Sequence, residues 1–83
     1  MAQPGGSPLV EGTETRMVRI EREMNDHGAM TVRVVETGEL RTVVEYTSPR
    51  LQARLKAARV GTEMPLQMAH TPGRGNAWVG IGD

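Results

Sequence analysis

The segment Thr71-Pro72-Gly73-Arg74-Gly75-Asn76, followed by Trp78, holds the residue types best suited to gripping a ligand. Glycines let a backbone approach a ligand or expose a row of amides. Arg74 suits a phosphate or carboxylate, and Trp78 suits stacking on a base or sugar. Gly73, Gly75 and Asn76 complete this ligand-binding set. Arg33 and Arg41 extend it, because with Arg19 they share the outward parity of consecutive strand-like runs and can align as a basic stripe. Both features have plainer explanations. A hairpin with Arg74 in solvent and Trp78 in the core accounts for the loop, since the chain has few other large residues. Cross-strand pairing with Glu21, Glu23 and Glu45 accounts for the stripe. The loop is not a phosphate-binding P-loop, because it lacks the Gly-Lys-Ser/Thr end and opens no helix.

Arg50, Arg54 and Arg59 offer a further cluster for an acidic partner, with Arg59 expected near the negative end of a helix dipole. The two histidines, His27 and His70, have no ligand-like spacing with carboxylates, so no metal is expected. Ser7 and Ser48 read as a tail residue and a helix cap, not as nucleophiles. No paired general acid and base stands out, and neither an enzyme nor a cofactor is expected. Met17, Met24, Met30, Met64 and Met68 suit adaptable packing or a soft interface.

Positioning these groups falls to three alternating runs, a helix and two further runs. Val18, Ile20 and Met24 mark the inner face of a first strand over 14–24. Met30, Val32 and Val34 mark a second over 29–36, and Leu40, Thr42, Val44 and Tyr46 a third. This is the period of half-buried strands. Asn25-Asp26-His27-Gly28 forms the first turn and Thr37-Gly38 the second, which makes an antiparallel meander. Ser48 is placed to cap a helix with Pro49 at its first position. Leu51, Leu55 and Ala58 form its apolar stripe, and Gly61 is a candidate C-terminal cap. Met64, Leu66 and Met68 face inward on a fourth strand, where Pro65 points outward and signals an edge or bulge. A short last strand covers 77–81, with Gly80 at a bend or close backbone approach.

The chain has 83 residues, enough for one domain, with a tail over 1–13 and a single unit over 14–83. Ten basic and ten acidic residues give no net charge, which weighs against tight phosphate binding. Cysteine is absent, excluding disulfides and thiolate metal sites. Phe is absent as well, so the core must come from aliphatic residues and Met around Trp78 and Tyr46. No apolar run is long enough to span a membrane and no signal-peptide pattern opens the chain, so a cytoplasmic protein is expected.

The order βββ-α-ββ resembles that of an oligonucleotide/oligosaccharide-binding (OB) barrel, which places its helix between strands three and four. The resemblance rests on segment order, not on a motif. The expected fold is mainly β: a small five-stranded OB-like barrel, antiparallel and partly open, with Leu51 and Leu55 closing one end. An open α+β layer is the alternative, while an SH3-like barrel would not carry this helix. The resemblance implies a non-catalytic binding module, with single-stranded nucleic acid as its partner. The competing expectation is a protein-interaction or structural subunit that homo-oligomerises. Its association would use the first strand or a sheet-face patch of Met17, Val35 and Val43.

Overall fold

A computed structural model describes residues 12–83; the expected tail lies almost wholly outside them. The elements run β1 (Glu14–Arg22), β2 (Met30–Val34), β3 (Leu40–Tyr46), α1 (Pro49–Lys56), β4 (Glu63–His70) and β5 (Ala77–Ile81). The protein is mainly β, with five strands in one sheet and one short helix. β1 pairs with both β2 and β4, so the order β1-β2-β3-β5-β4 returns to its start and the sheet closes. The first strand is therefore no free edge, contrary to expectation. Four pairings are antiparallel, but β3 and β5 run parallel. An odd number of strands cannot alternate direction around a closed ring, so a wholly antiparallel one was impossible.

Val18, Ile20, Met30, Val32, Val34, Leu66 and Met68 fill the interior, on the parity that their alternation predicts. Each buried aliphatic side chain of this size contributes about 1.5–3 kcal/mol. The inner face of β3 differs from expectation. Arg41 and Val43 are buried, while Thr42 and Val44 are half-exposed. Residues directly opposite one another share a face. Arg41 lies opposite Val32 and Val43 opposite Met30, so both must point inward. A register shift against β5 between Val43 and Glu45 changes the parity, and Tyr46 again packs on the core. An alternation read backwards from Tyr46 thus misassigns everything before the bulge.

The β1–β2 turn closes as its residue types require. Asn25 Oδ1 accepts from the backbone N–H groups of His27 (2.9 Å) and Ala29 (3.0 Å), and Gly28 has φ +84°. Pro65 lies opposite Met17, whose carbonyl instead accepts from Val35 across β2. The missing donor of Pro65 therefore faces away from β1, beyond the last β4–β5 pair, Gln67 with Ile81.

Ser48 caps α1 by accepting from the Leu51 N–H at 3.1 Å, with Pro49 in the first turn. The helix is too short to persist alone, so it depends on docking. Leu51 and Leu55, each 1% exposed, close one end of the sheet. Gly80 is the close approach: a Cβ there would lie 3.3 Å from Tyr46 and 3.6 Å from Leu51. Tyr46 reaches over the same end and donates to the Gly28 carbonyl at 2.6 Å; burial pushes its phenol up to about 12. Two expectations about the helix end fail. Ala57, not Gly61, is the C-cap; Gly61 instead donates to the Ile20 carbonyl at 2.9 Å in the approach to β4. Arg59 lies past the helix, beside Glu23 at 3.6 Å, leaving Arg54 and Lys56 in the last turn.

Leu55→Ala should cost about 2–5 kcal/mol, since it opens a cavity under the only helix among the described residues. Urea unfolding followed by Trp78 fluorescence measures this, and a change near zero would show that the helix does not depend on that contact.

Candidate binding groove

Strand β1 carries a register shift between Ile20 and Arg22. Without it, Arg22 would share the inward parity of Val18 and Ile20. With it, Arg22 lies opposite Thr31, on the outer face. Thr31 lies in turn opposite Thr42. This outer row forms the floor of an open groove of about 450 Å³, lined by Glu21, Arg22, Thr31, Leu40, Thr42 and Asn76. The lining offers hydroxyls, a carboxamide, both signs of charge and one exposed apolar side chain. Asn76 comes from the β4–β5 connection and is drawn onto β3 by two bonds. Its carbonyl accepts from the Thr42 N–H at 3.3 Å, and its Nδ2 donates to the Leu40 carbonyl at 2.9 Å.

Behind Asn76 lies the contact that holds the second end of the sheet. Trp78 is only 8% exposed, and its Nε1 donates to Asn76 Oδ1 at 2.9 Å. The Arg41 guanidinium sits over the Trp78 ring, with Cζ 3.8 Å from the ring centroid. His70 meets the same ring edge-on, with centroids 5.0 Å apart, and its Nε2 pairs with the Gly75 carbonyl. Arg41 Nη2 donates to Glu14 at 3.2 Å and Glu39 at 3.0 Å. Arg16 joins Glu14 to Glu36 through contacts of 2.6 Å and 2.8 Å, so an alternating chain of charges crosses this end. The Arg16 hydrogen bond is the largest influence on the Glu14 carboxyl and holds it below the usual range; burial, the next largest, opposes it, and the Arg41 charge adds to the lowering. Among the described residues, no acceptor reaches Arg41 Nε or Nη1; the ring face is what meets that cation.

The residues singled out from the sequence therefore separate. Asn76 lines the groove. Arg74 is exposed in the adjoining loop and, with Arg22, forms no ion pair among the described residues. Gly73 (φ +76°) and Gly75 (φ +60°) serve the turn, with open space where a Cβ would stand. Arg33 is engaged by Glu21 at 2.7 Å and the Gly38 carbonyl at 3.0 Å. Arg41 and Trp78 are corrections. Arg41 is buried rather than outward, and Trp78, only 8% exposed and with Arg41 over one face, offers no open face for stacking. The basic stripe does not form; Arg19 pairs with Glu63 at 2.7 Å and Arg33 with Glu21. Sequence reasoning missed Arg22, Thr31 and Thr42. An arginine at the inward parity of an apolar face was the one available sign of the β1 bulge.

A family model matches residues 9–80. The chain belongs to a family of unknown function, DUF7999. No curated protein and no solved structure matches it. Membership covers nearly all of the described residues, including both ends of the sheet and the groove. No described helix is long and apolar enough to cross a membrane.

The Arg41–Trp78 contact makes a definite prediction. A cation desolvated over a ring contributes about 2 kcal/mol, and a lysine cannot reproduce the planar stack. Arg41→Lys should lower stability by about 2 kcal/mol in urea unfolding and increase solvent quenching of Trp78. Unchanged stability and quenching would show that the stack does not hold this end.

Proposed function

We propose that the protein is a non-catalytic binding module, an OB-like barrel that takes single-stranded nucleic acid along the groove of β1, β2 and β3. The observation that carries this reading is the groove's place. It lies on the outer face of the second and third strands and is bordered by the connection of the last two. Closed small barrels with this strand order and helix position use that surface for oligonucleotides and oligosaccharides. Barrels of one fold serve unrelated functions, so the residues at the groove must carry the reading. Local chemistry supports it. Arg22 in the groove and Arg74 in the adjoining loop are cations with no internal ion pair among the described residues, so neither must give up a partner to meet a phosphate. Thr31, Thr42 and Asn76 offer hydrogen bonds to sugar, phosphate or base.

Two phosphate contacts on a protein of zero net charge give weak, salt-sensitive binding. The slope of log K against log salt should be about −1.4, two contacts at about −0.7 each. Titration of the labelled protein with short single-stranded DNA and RNA at 20 mM and 200 mM salt, as chosen conditions, tests this. Amide shifts should move at Arg22, Thr31, Leu40, Thr42 and Asn76. Silence at these positions at the lower salt would reject the reading.

A second reading has its own observation. Met17 and Val35 are 48% and 42% exposed, and with Pro65 they form an apolar row across β2, β1 and β4. Val43, expected to belong to this patch, is fully buried and does not. Ion pairs border the row on one side, Arg19 with Glu63 and Arg33 with Glu21, and give a second copy charges of both signs to match about a two-fold axis. A self-associating subunit predicts a concentration-dependent dimer in sedimentation that Met17→Arg abolishes. A strict monomer across the series would remove this reading.

A further inference from the structure

We infer that Asn76 reads the edge of a nucleobase in the groove, and that Trp78 and Arg41 are positioning residues that hold its carboxamide for that task. The inference rests on the groove reading above and adds the group that would make it sensitive to bases. An asparagine side chain ordinarily has an ambiguous orientation. Here its two ends are told apart by their partners. The Trp78 indole N–H can only donate, and it meets Oδ1 at 2.9 Å. The Leu40 carbonyl can only accept, and it meets Nδ2 at 2.9 Å. Among the described residues, one N–H and one lone pair of the carboxamide have no partner, on an exposed residue that lines the groove. The carboxamide thus keeps one donor and one acceptor for the donors and acceptors that a base edge presents.

The carboxamide cannot turn freely to suit another ligand. Rotation would break both bonds and leave the indole N–H of a buried tryptophan without its acceptor. The indole cannot follow, because the Arg41 Cζ lies 3.8 Å from its ring centroid and His70 packs against it in a T-shaped contact, with centroids 5.0 Å apart. The backbone of Asn76 is held too, through its carbonyl to Thr42. A chain of contacts thus runs from the buried cation to the indole to the groove. The unpaired cations Arg22 and Arg74 favour a ligand that brings phosphates with its bases over a peptide offering the same amide chemistry.

The test compares a single-stranded DNA decamer with an abasic phosphodiester of equal length, at low salt, on the full chain. The native protein should bind the base-containing strand about tenfold more tightly, the scale of one good bidentate contact. Asn76→Ala should bring that ratio to about one. Asn76→Asp guards against misfolding, because it keeps the acceptor for the indole while losing the donor. Its indole N–H resonance should stay hydrogen-bonded while the ratio collapses. Trp78→Phe should lower the ratio as well, since it removes the bond that orients Asn76. Equal affinity of the native protein for the two ligands, or a ratio that survives Asn76→Asp, overturns the inference and leaves the groove reading standing. Absence of binding to either strand overturns both.

Discussion

A cation buried against an indole holds the end of the sheet that the helix does not cover. The chain has no phenylalanine and a single tryptophan, so this end has little apolar bulk to close it. Arg41 supplies that bulk from β3 and Trp78 from β5. The cost of burying the guanidinium is offset by the ring face and by Glu14 and Glu39, whose carboxylates stay partly in solvent. That arrangement also decides which residues face outward. With Arg41 directed inward, Leu40 and Thr42 must face solvent, and they become part of the groove.

The two ends are closed by different physics. Under the helix, Leu51 and Leu55 are removed from water against Gly80, Tyr46 and the core, so this end relies on apolar burial. At the other, a chain of charges runs from Glu36 through Arg16, Glu14 and Arg41 to Glu39, and Arg41 brings it onto the ring. Exposed ion pairs contribute little singly and weaken with salt. Salt therefore weakens the charged end more than the apolar one. The charged end adjoins the β4–β5 loop, where Asn76 and Arg74 sit beside the groove.

Much of the fold was legible in particular residues. Met30, Val32 and Val34 alternate without interruption, and β2 obeys them. Ser48-Pro49 announced the helix start, and Leu51 and Leu55 its buried face. The candidate site was legible only in part. Asn76 and Arg74 were found because a glycine-rich segment draws attention to itself, and both are exposed. Arg22, Thr31 and Thr42 have unremarkable types, and no local pattern marks them as neighbours. They meet only because β1, β2 and β3 pair in one register.

Local chemistry in the chain determined the number and order of the elements, the helix cap, the turns at Gly28 and Gly38, and the inner faces of β2 and β4. These depend on spacings within a few residues, where side-chain period and backbone preference act directly. The tertiary structure alone decided the bulges after Ile20 and Val43, the parallel pairing of β3 with β5, and the inward course of Arg41. The reason is physical. One extra residue in a strand reverses every later side chain, and a bulge is set by what the neighbouring strands need in order to close the ring. An arginine likewise turns inward only where a distant tryptophan and two carboxylates are waiting for it.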